Sequence, residues 1–347
     1  MRFAEVVGHE HVLEGLWRSA RAQRLAHALC FTGPEGVGKF LSAERLTAGL
    51  LCARGIGPPC GTCGPCKRAK IDSHPDVFVI DPTIEGLESI SIGHVTPRAD
   101  GPKVTIGQFL SLRPMENGWR IVLVRESDRL VEEAQNALLK TLEEPGESTL
   151  LVLETSRPDR LLATIHSRCV RVPFGTLDAG LVERVLAQSS VEPAQRQMLA
   201  RFAAGAPGIA VTLEERGALA MIEIVERALS VGPDPFARTR EWSEIEAVFP
   251  GKTPAAQTRV KARTFLDLLC FVLRDAVRAR AGIDVSELAF GATAARIAHL
   301  PEALLVHVLE GVLAARQDVD MNLAPDAAVE RALLALDPLT RRTVSVT

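Results

Sequence analysis

The chain carries a phosphate-binding loop that is complete except at its last position. Residues 33–40 read Gly-Pro-Glu-Gly-Val-Gly-Lys-Phe, and in the pattern G-x-x-x-x-G-K-[ST] backbone N–H groups and the lysine surround a nucleotide's phosphates while Ser or Thr ligates Mg²⁺. The phosphate-binding positions are kept as Gly33, Gly36, Gly38 and Lys39. Phe40 replaces the hydroxyl residue and cannot bind a metal. Since an apolar run precedes the loop and a helical pattern follows it, we interpret it as a degenerate nucleotide loop rather than a glycine-rich turn.

A second defect concerns the acidic pair that holds Mg²⁺ in a working nucleotide triphosphatase. The apolar run Ile121–Val124 is followed by Arg125 and Glu126, where such enzymes have Asp and Glu. Arg125 places a cation where the metal belongs, and one hypothesis for the retained Lys39 is that it pairs with Glu126. Hydrolysis needs an ion that neutralises the charge developing on the β- and γ-phosphates. The two losses together predict that this chain does not hydrolyse ATP by itself.

Four of the seven cysteines lie in one short segment, as Cys52, Cys60, Cys63 and Cys66. A C-x-x-C-x-x-C core with one upstream cysteine supplies four thiolates, the ligand set of a tetrahedral structural Zn²⁺ site. Disulfides and an iron–sulfur cluster are the alternatives; we favour zinc because disulfides are rare in a reducing cytosol and no redox signature flanks the segment. Four filled positions would stabilise a loop and leave none for a substrate. Small buried apolar roles are expected for the other three cysteines, Cys30, Cys169 and Cys270.

The composition limits the classes of function. The chain has 347 residues and a formal net charge of −3, so two or three domains are expected and no basic tail provides a surface for nucleic acid. The N-terminal residues show no signal-peptide pattern, and no apolar stretch reaches membrane-spanning length. We therefore expect a cytoplasmic protein with no membrane contact, which meets nucleic acid only through a local face or a shared assembly.

The elements that would position the loop alternate between apolar runs and helical patterns. Runs that are apolar nearly throughout predict a parallel sheet covered by helices on both faces. The expected strands are Ala28–Thr32, Val77–Ile80, Ile121–Val124, Leu150–Leu153 and Val170–Val172. Val131–Glu144 predicts a helix that Pro145 ends, Thr105 is expected to cap a short helix through Leu112, and residues 83–104 are interpreted as a surface excursion.

Helical patterns fill the rest of the chain. A three-helix unit is predicted from Thr176–Gln188, Pro193–Ala204 and a segment that ends near Glu215. Longer helices are expected beyond it, at Ala218–Ser230, Thr239–Phe249, Pro254–Ala281, Pro301–Gln317 and Pro325–Leu336. The third of these is apolar nearly all round in its middle, which predicts that it is buried centrally or against a partner.

The triplet Ser167-Arg168-Cys169 completes a set of motifs that resembles one family. His27-Ala28 precedes the phosphate loop, the four-cysteine segment follows it, residues 134–145 read AQNALLKTLEEP, and residues 161–169 read LLATIHSRC. Together these motifs resemble the clamp-loader subunits of the AAA+ superfamily. The resemblance weakens after residue 217, although Asn322 and residues 327–334 are still similar to the family's last collar helix.

The resemblance implies a domain organisation. Residues 1–172 would form an AAA+ module, an α/β domain whose parallel sheet is flanked by helices, with a zinc module at residues 52–66. Residues 173–217 would form a small three-helix lid domain. Residues 218–347 would form an all-α collar domain through which the subunits assemble.

The resemblance also implies roles. In that family Ser-Arg-Cys presents an arginine to the γ-phosphate of ATP on a neighbouring subunit, so Arg168 is the expected arginine finger. The departures at Phe40 and Arg125, with the missing arginine of the second sensor motif at residues 205–208, resemble the family's non-hydrolysing stator. Such a chain would join the gamma/tau and delta subunits of DNA polymerase III in a hetero-pentamer that loads the β sliding clamp onto primer–template DNA during replication.

Two other functions stay open at this point. One is a self-sufficient gamma/tau-like clamp-loader ATPase with unusual metal ligation. The other is a zinc-dependent DNA-binding module, although charges near such cysteines are more often a solvated face. The basic residues concerned are Arg54, Lys67, Arg68 and Lys70. His74-Pro75-Asp76, just before a strand, is interpreted as a turn rather than a catalytic pair.

Overall fold

A computed structural model describes most of the chain. The described residues are 6–70, 73–85, 87–98, 101–116, 118–188, 191–229, 242, 249, 253–321 and 323–339. Their contacts divide the chain into two compact units, Met1–Gln188 and Ser189–Thr347. The division into three domains drawn from the sequence stays a prediction.

The first unit is built on a five-stranded parallel sheet. Its strands are β1 (Ala28–Thr32), β2 (Val77–Ile80), β3 (Arg120–Val124), β4 (Thr149–Thr155) and β5 (Val170–Pro173). They are ordered β2-β3-β4-β1-β5, and each neighbouring pair is parallel. The strands β1, β3 and β4 are buried along their whole length, as a parallel sheet covered on both faces requires. The predicted fold class is therefore confirmed, with all five strands in their expected places.

Helices connect the strands, because parallel neighbours cannot be joined by a tight turn. The helices α2 to α7 lie between strands, α1 precedes the first strand and α8 follows the last. Their bounds are α1 (Glu10–Arg21), α2 (Lys39–Leu50), α3 (Gly64–Lys70), α4 (Pro82–Glu85), α5 (Ile106–Ser111), α6 (Glu132–Glu143), α7 (Ala163–His166) and α8 (Ala179–Ala187). Thr105 caps α5 as predicted: its hydroxyl accepts from the backbone N–H of Gln108, whose side-chain oxygen accepts from the backbone N–H of Thr105. This reciprocal cap satisfies two donors that the start of the helix would leave free.

One expectation about the first unit is wrong. Residues 83–104 do not form only a surface excursion, because Ile90 and Val95 are 0% and 1% exposed and belong to the core. A parallel bridge joins Ile90 to Leu130. Ile90 and Val95 stand among glycine, proline and polar residues, so the sequence alone does not indicate that they are buried. The burial of these two side chains stabilises the packing of the segment against the domain.

The second unit contains helices and no strand among its described residues. The helices are α9 (Pro193–Ala203), α10 (Pro207–Glu215), α11 (Ile222–Ala228), α12 (Pro254–Arg280), α13 (Gly291–Ile297), α14 (Glu302–Asp320) and α15 (Pro325–Ala335). In α12, Phe265, Leu266, Leu269 and Leu273 are all at most 1% exposed. This helix packs against α13, α14 and α15, so the central burial predicted for it is confirmed.

Other details of the helical part differ from the expectation or lie beyond it. The helix expected at Ala218–Ser230 begins as a 3₁₀ turn, Ala218–Met221, before α11, and the sequence pattern misses α13. All but two residues of the helix expected at Thr239–Phe249, and Asn322, lie outside the described residues. Within the part of the chain that is described, no helix combines the length and the apolar character needed to cross a bilayer.

Candidate functional site

The phosphate loop lies between the carboxyl end of β1 and the start of α2, the position that such a loop takes in nucleotide-binding folds. Gly38, the residue before α2, has φ of +98°, a left-handed conformation that favours glycine. Gly33 approaches the backbone so closely that a Cβ there would lie 2.1 Å from the carbonyl oxygen of Phe174. The loop is thus in its predicted place, and the backbone requires these glycines.

The lysine of the loop is buried and engaged by protein groups. Lys39 is 3% exposed. Its Nζ donates hydrogen bonds to the carbonyl oxygens of Gly33 and Pro34 at 2.9 and 2.7 Å. It also donates to Ser156 Oγ, just beyond β4, at 3.0 Å. The ammonium group is therefore fixed between the loop itself and the end of a neighbouring strand.

The ion pair of Lys39 differs from the hypothesis drawn from the sequence. Its Nζ lies 3.0 Å from Glu154 Oε1, and the two side chains are 2% and 9% exposed. The expected partner, Glu126, forms an ion pair with Arg129 at 2.7 Å. The sequence analysis missed Glu154 because it is a single charged residue in an apolar strand. The register of β4 places it beside Phe31 of β1 and so brings it to the loop. A buried ammonium group needs such a partner to stay charged.

The two residues predicted to replace the metal ligands contact each other. The guanidinium carbon of Arg125 lies 5.2 Å from the centre of the Phe40 ring, within the range of cation–π attraction. Arg125 also forms an ion pair with Asp81 at 2.9 Å. Burial by itself would lower the pKa of Arg125, but the hydrogen bond and charge of Asp81, with the charges of Glu154 and Glu126, raise it above its ordinary value. A permanent cation, rather than a carboxylate, therefore follows β3.

A buried aspartate, which the sequence pattern missed, organises the segment that follows β4. Asp128 is 8% exposed. It accepts hydrogen bonds from Thr155 Oγ1 at 2.7 Å and from Arg157 Nε at 3.0 Å. These contacts fix the segment that presents Ser156 to Lys39.

Arg168 lies at the opposite edge of the sheet from the phosphate loop. It stands two residues before β5, which runs parallel to β1 with Val170 beside Leu29. Arg168 is therefore near the amino ends of these strands, whereas the loop follows the carboxyl end of β1. At about 3.3 Å per residue, β1 alone spans about 16 Å. Arg168 cannot reach a phosphate held in the loop of its own chain.

The guanidinium of Arg168 is held by groups of this chain. Its Nε and Nη2 donate to Glu143 Oε1 at 2.9 and 2.5 Å. Its Nη1 donates to the carbonyl oxygen of Thr164 and to Ser167 Oγ, both at 3.1 Å. The side chains of Arg168 and Glu143 are 33% and 50% exposed. The predicted finger is thus a surface residue whose charge is paired within the chain.

The four predicted metal ligands come together. The four sulfur atoms of the cluster all lie within 4.8 Å of one another, and they belong to Cys52, Cys60, Cys63 and Cys66. Tetrahedral zinc with Zn–S bonds of about 2.3 Å places its sulfurs about 3.8 Å apart. Cys60 Sγ and Cys66 Sγ are 4.0 Å apart, so one metal ion fits among the four with small shifts. All seven cysteines are free thiols.

The surroundings of the cluster set the acidity of its thiols. Hydrogen bonds from the Thr62 hydroxyl and the Cys63 backbone lower the pKa of Cys60 to about 5. Burial raises the pKa of Cys66 to about 12, and a metal would displace that proton because cysteine binds as the thiolate. Cys66 Sγ lies 3.8 Å from the carbonyl oxygen of Ala48 in α2. The cluster thus contacts the carboxyl end of α2, the helix that begins at the phosphate loop.

The other cysteines are weak acids. Cys30 is 1% exposed, and Cys169 and Cys270 are partly buried. Burial raises the pKa of Cys30 and Cys270 to about 11 and that of Cys169 to about 12. All three are neutral thiols at pH 7, which agrees with the packing role predicted for them.

Two of the basic residues near the cysteines already contact other side chains of this chain. Arg68 forms an ion pair with Glu116, and Arg54 donates to Thr62 Oγ1 at 3.3 Å. A guanidinium that is already paired gains less from a DNA phosphate, because the existing pair must first be broken. The cluster therefore gives little support to a zinc-dependent DNA-binding module.

His74-Pro75-Asp76 forms the predicted turn, and its acid has a structural role. Asp76 is 0% exposed and forms an ion pair with Arg120, Oδ1 to Nη1 2.9 Å. Its carboxylate also accepts from the backbone N–H groups of Met115 and Glu116 at 2.7 and 2.6 Å. Burial lowers the pKa of His74. The aspartate is thus committed to holding β2, β3 and the preceding loop together.

The parallel sheet, with its phosphate loop after β1 and with β1 between β4 and β5, defines a chain of the AAA+ class of P-loop proteins. A family described as "DNA polymerase III, delta subunit" matches residues 8–178. The DNA polymerase III subunit delta' of Pseudomonas aeruginosa is 33% identical over 245 residues, 67% of this chain and 70% of that protein. The chain belongs to this family of DNA polymerase III clamp-loader subunits.

Other relatives match over smaller shares of their length. The delta' subunit of Bacillus subtilis is 33% identical over 191 residues, 55% of each protein. The tau subunit of Escherichia coli is 34% identical over 221 residues, 62% of this chain and 32% of that protein. The chain thus spans about half the length of the first and a third of the second.

A gamma subunit-related protein from Thermotoga maritima, of known structure, is 17% identical with a TM-score of 0.48, covering 95% of this chain and 99% of that one.

Proposed function

We propose that the chain is a non-hydrolysing stator of the bacterial DNA polymerase III clamp loader, a delta'-like subunit that completes the active site of a neighbour. One observation carries the proposal: the phosphate loop, without metal ligands, and Arg168 lie at opposite edges of one sheet. Since Arg168 cannot serve the loop of its own chain, a nucleotide on an adjacent subunit is the phosphate it can meet.

The contacts of the loop support the absence of hydrolysis. A working site needs Mg²⁺ to neutralise charge on the phosphates. Here Phe40 provides no ligand, Arg125 is paired with Asp81, and Lys39 is paired with Glu154. An entering triphosphate would meet the Glu154 carboxylate and would have to displace the contacts of Lys39. We therefore expect no turnover by the chain alone.

The chemistry of Arg168 supports a role in trans. A guanidinium is permanently charged, and its planar set of donors matches the oxygens of a phosphoryl group. Arginine fingers contribute about 10³ to 10⁵ in rate. The neighbour we propose is a gamma/tau-type ATPase, because tau and gamma/tau subunits of DNA polymerase III are among the relatives of this chain.

The assembly we propose follows from the family. Residues 1–172 and the lid at 173–217 would form the AAA+ module, and the helices from residue 218 onward would join a collar with gamma/tau and delta subunits in a hetero-pentamer. The complex would act in the cytoplasm and load the β sliding clamp onto primer–template DNA. This chain would contribute a rigid surface and one arginine.

We also infer that the four-cysteine cluster holds a structural Zn²⁺ ion. All four ligands are thiols of this chain, which is typical of closed structural sites rather than of catalytic sites with an open position. The ion would tie the loop between Cys52 and Cys66 to the end of α2. It would thus supply folding energy and no chemistry.

A self-sufficient ATPase of the gamma/tau type is the second candidate. It is favoured by the retained glycines and Lys39 and by the tau subunit of Escherichia coli, which is as similar to this chain, at 34% identity, as the delta' relatives at 33%. Hydrolysis by the isolated chain separates the two candidates.

The test of the main proposal is Arg168→Ala in a complex reconstituted with the gamma/tau and delta subunits of the same organism. We expect the one site next to this chain to slow by about 10³-fold, seen in pre-steady-state phosphate release as the loss of one site's burst in the presence of primer–template DNA. Arg160→Ala, an exposed arginine on the same segment, is the matched control and should leave the burst unchanged. An intact burst in Arg168→Ala would remove the role in trans.

A further inference from the structure

We propose that Glu143 is the positioning residue of Arg168, the group that fixes the guanidinium in the orientation presented to the neighbouring nucleotide. The inference rests on the proposed function and adds a residue to it. One oxygen of Glu143 accepts from both Nε and Nη2 of Arg168, while Thr164 and Ser167 accept from Nη1. Two sides of the planar group are thereby held.

The carboxylate comes from a rigid element. Glu143 ends α6, whose inner residues Ala134, Leu138 and Leu142 are 0%, 0% and 3% exposed. His27 Nε2 lies 3.0 Å from the carbonyl oxygen of Leu142. Because a carbonyl oxygen can only accept, His27 donates this bond, and it ties the last turn of α6 to the residue before β1. Glu143 therefore projects from a helix end that is fixed to the sheet.

The backbone of Arg168 is fixed as well. Its N–H donates to the carbonyl oxygen of Ile165 at 3.0 Å, and the Ile165 side chain is 0% exposed in the core. His166 Nε2 lies 2.8 Å from the carbonyl oxygen of Pro158 and secures the same short helix. The remaining freedom of Arg168 is in its side-chain rotamers. The bonds to Glu143 restrict these rotamers before the neighbouring subunit binds, and such preorganisation of a group raises the rate of a reaction.

The solvent exposure of the Arg168–Glu143 pair indicates that Glu143 orients the guanidinium and does not neutralise its charge. Arg168 is one-third and Glu143 one-half exposed (33% and 50%), so water screens the pair and leaves the guanidinium effective as a cation. A triphosphate also carries more negative charge than one carboxylate and attracts the exposed side of the group. Loss of Glu143 would therefore free rotamers rather than release a hidden charge.

The first test uses the isolated full-length chain. The NMR signal of the Arg168 Nε–H group, assigned by its loss in Arg168→Lys, should be resolved and slow to exchange with water. In Glu143→Ala it should move to the position of free arginines. It should persist in Glu143→Gln, whose amide oxygen accepts the same bonds. Glu144→Ala, the adjacent exposed acid, is the matched control and should leave the signal unchanged.

The second test uses the reconstituted complex. Glu143→Ala should lower kcat at the adjacent site on the order of 10-fold with KM for ATP unchanged, because misorientation affects the transition state more than binding. Glu143→Gln should keep most of the rate. The double variant Glu143→Ala/Arg168→Ala should be no slower than Arg168→Ala, since Glu143 acts only through Arg168.

The outcomes separate the two proposals. If Arg168→Ala slows the site while Glu143→Ala leaves it unchanged or makes it faster, the positioning role is overturned and the proposed function stands. If Glu143→Ala slows the site but the NMR signal of Arg168 is unaltered, the role is also overturned. If Arg168→Ala has no effect, both proposals fail together.

Discussion

At the residue scale, Phe40 and Arg125 contact each other, so the effect of one residue depends on the other. Asp81, at the end of β2, is 4% exposed, and a carboxylate so shielded from water needs a cation nearby. Arg125 supplies that cation at 2.9 Å, and the Phe40 ring lies against the guanidinium. Restoring a hydroxyl at position 40 would leave Arg125 in place. We therefore expect that Mg²⁺ binding would require both positions to change.

Asp76 gives a stability prediction at the same scale. Asp76→Ala should lower the free energy of unfolding by about 3–5 kcal/mol, because Arg120, 3% exposed, would remain buried without its partner. The backbone N–H groups of Met115 and Glu116 would lose their acceptor as well. Urea unfolding followed by circular dichroism measures the change. Asp159→Ala, at an exposed aspartate of the same unit, should shift stability by at most about 0.5 kcal/mol.

A small loss for Asp76→Ala, below about 1 kcal/mol, would contradict the prediction. It would mean that water reaches Arg120 and replaces the carboxylate. The turn at residues 74–76 would then be only a connection, and the ion pair would not be what joins β2 to β3.

The local part of the site is predictable from sequence and the contacts across the sheet are not. The loop and the cysteine cluster are recognised because their residues are neighbours in the chain. Glu154 reaches the loop, and Asp81 reaches Arg125, only because β4 and β2 end at the same edge of the sheet as β1 and β3. Strand order is a property of distant segments, so a single charged residue at the end of an apolar strand carries no signal of its partner.

At the element scale, apolar runs locate strands well and short helices poorly. All five strands are expected within a few residues of their bounds because a fully buried strand must be apolar throughout. The helix α13 is missed because it has seven residues and begins at a glycine. Ile90 and Val95 are missed because two isolated apolar residues in polar sequence form no periodic pattern.

The cluster on α2 gives the element-scale prediction. Protein purified under reducing conditions should contain about one zinc ion per chain by elemental analysis. Removing it with a chelator should increase amide hydrogen exchange in the last turn of α2, around Ala48, while β1 keeps its protection. The reason is that Cys66 contacts this turn at Ala48 and that structural zinc contributes on the order of 10 kcal/mol to local folding.

Matched variants make the zinc test specific. Cys63→Ala should reduce the zinc content and reproduce the faster exchange, whereas Cys270→Ala, outside the cluster, should retain the ion. Iron with visible absorption would identify an iron–sulfur cluster instead of zinc. Unchanged exchange after zinc removal would show that the cluster does not stabilise α2.

At the scale of the whole molecule, the proposed function accounts for the separation between the phosphate loop and Arg168. The loop follows the carboxyl end of β1 and Arg168 precedes the amino end of β5. A head-to-tail arrangement of similar subunits brings the edge of one sheet to the opposite edge of the next, so each interface can combine a loop with an arginine. A subunit with a defective loop and an intact arginine can complete only one of its two interfaces.

Isolated chain should therefore release no phosphate from ATP above background, with Mg²⁺ and with or without primer–template DNA. Phe40→Thr should be equally inactive, because Arg125 still supplies a cation beside Asp81 and Lys39 stays paired with Glu154. Lys39→Ala is the control for contamination, since a contaminating ATPase is indifferent to that substitution. Turnover by the unmodified chain that Lys39→Ala abolishes would make it a self-sufficient ATPase, and the stator role would have to be abandoned.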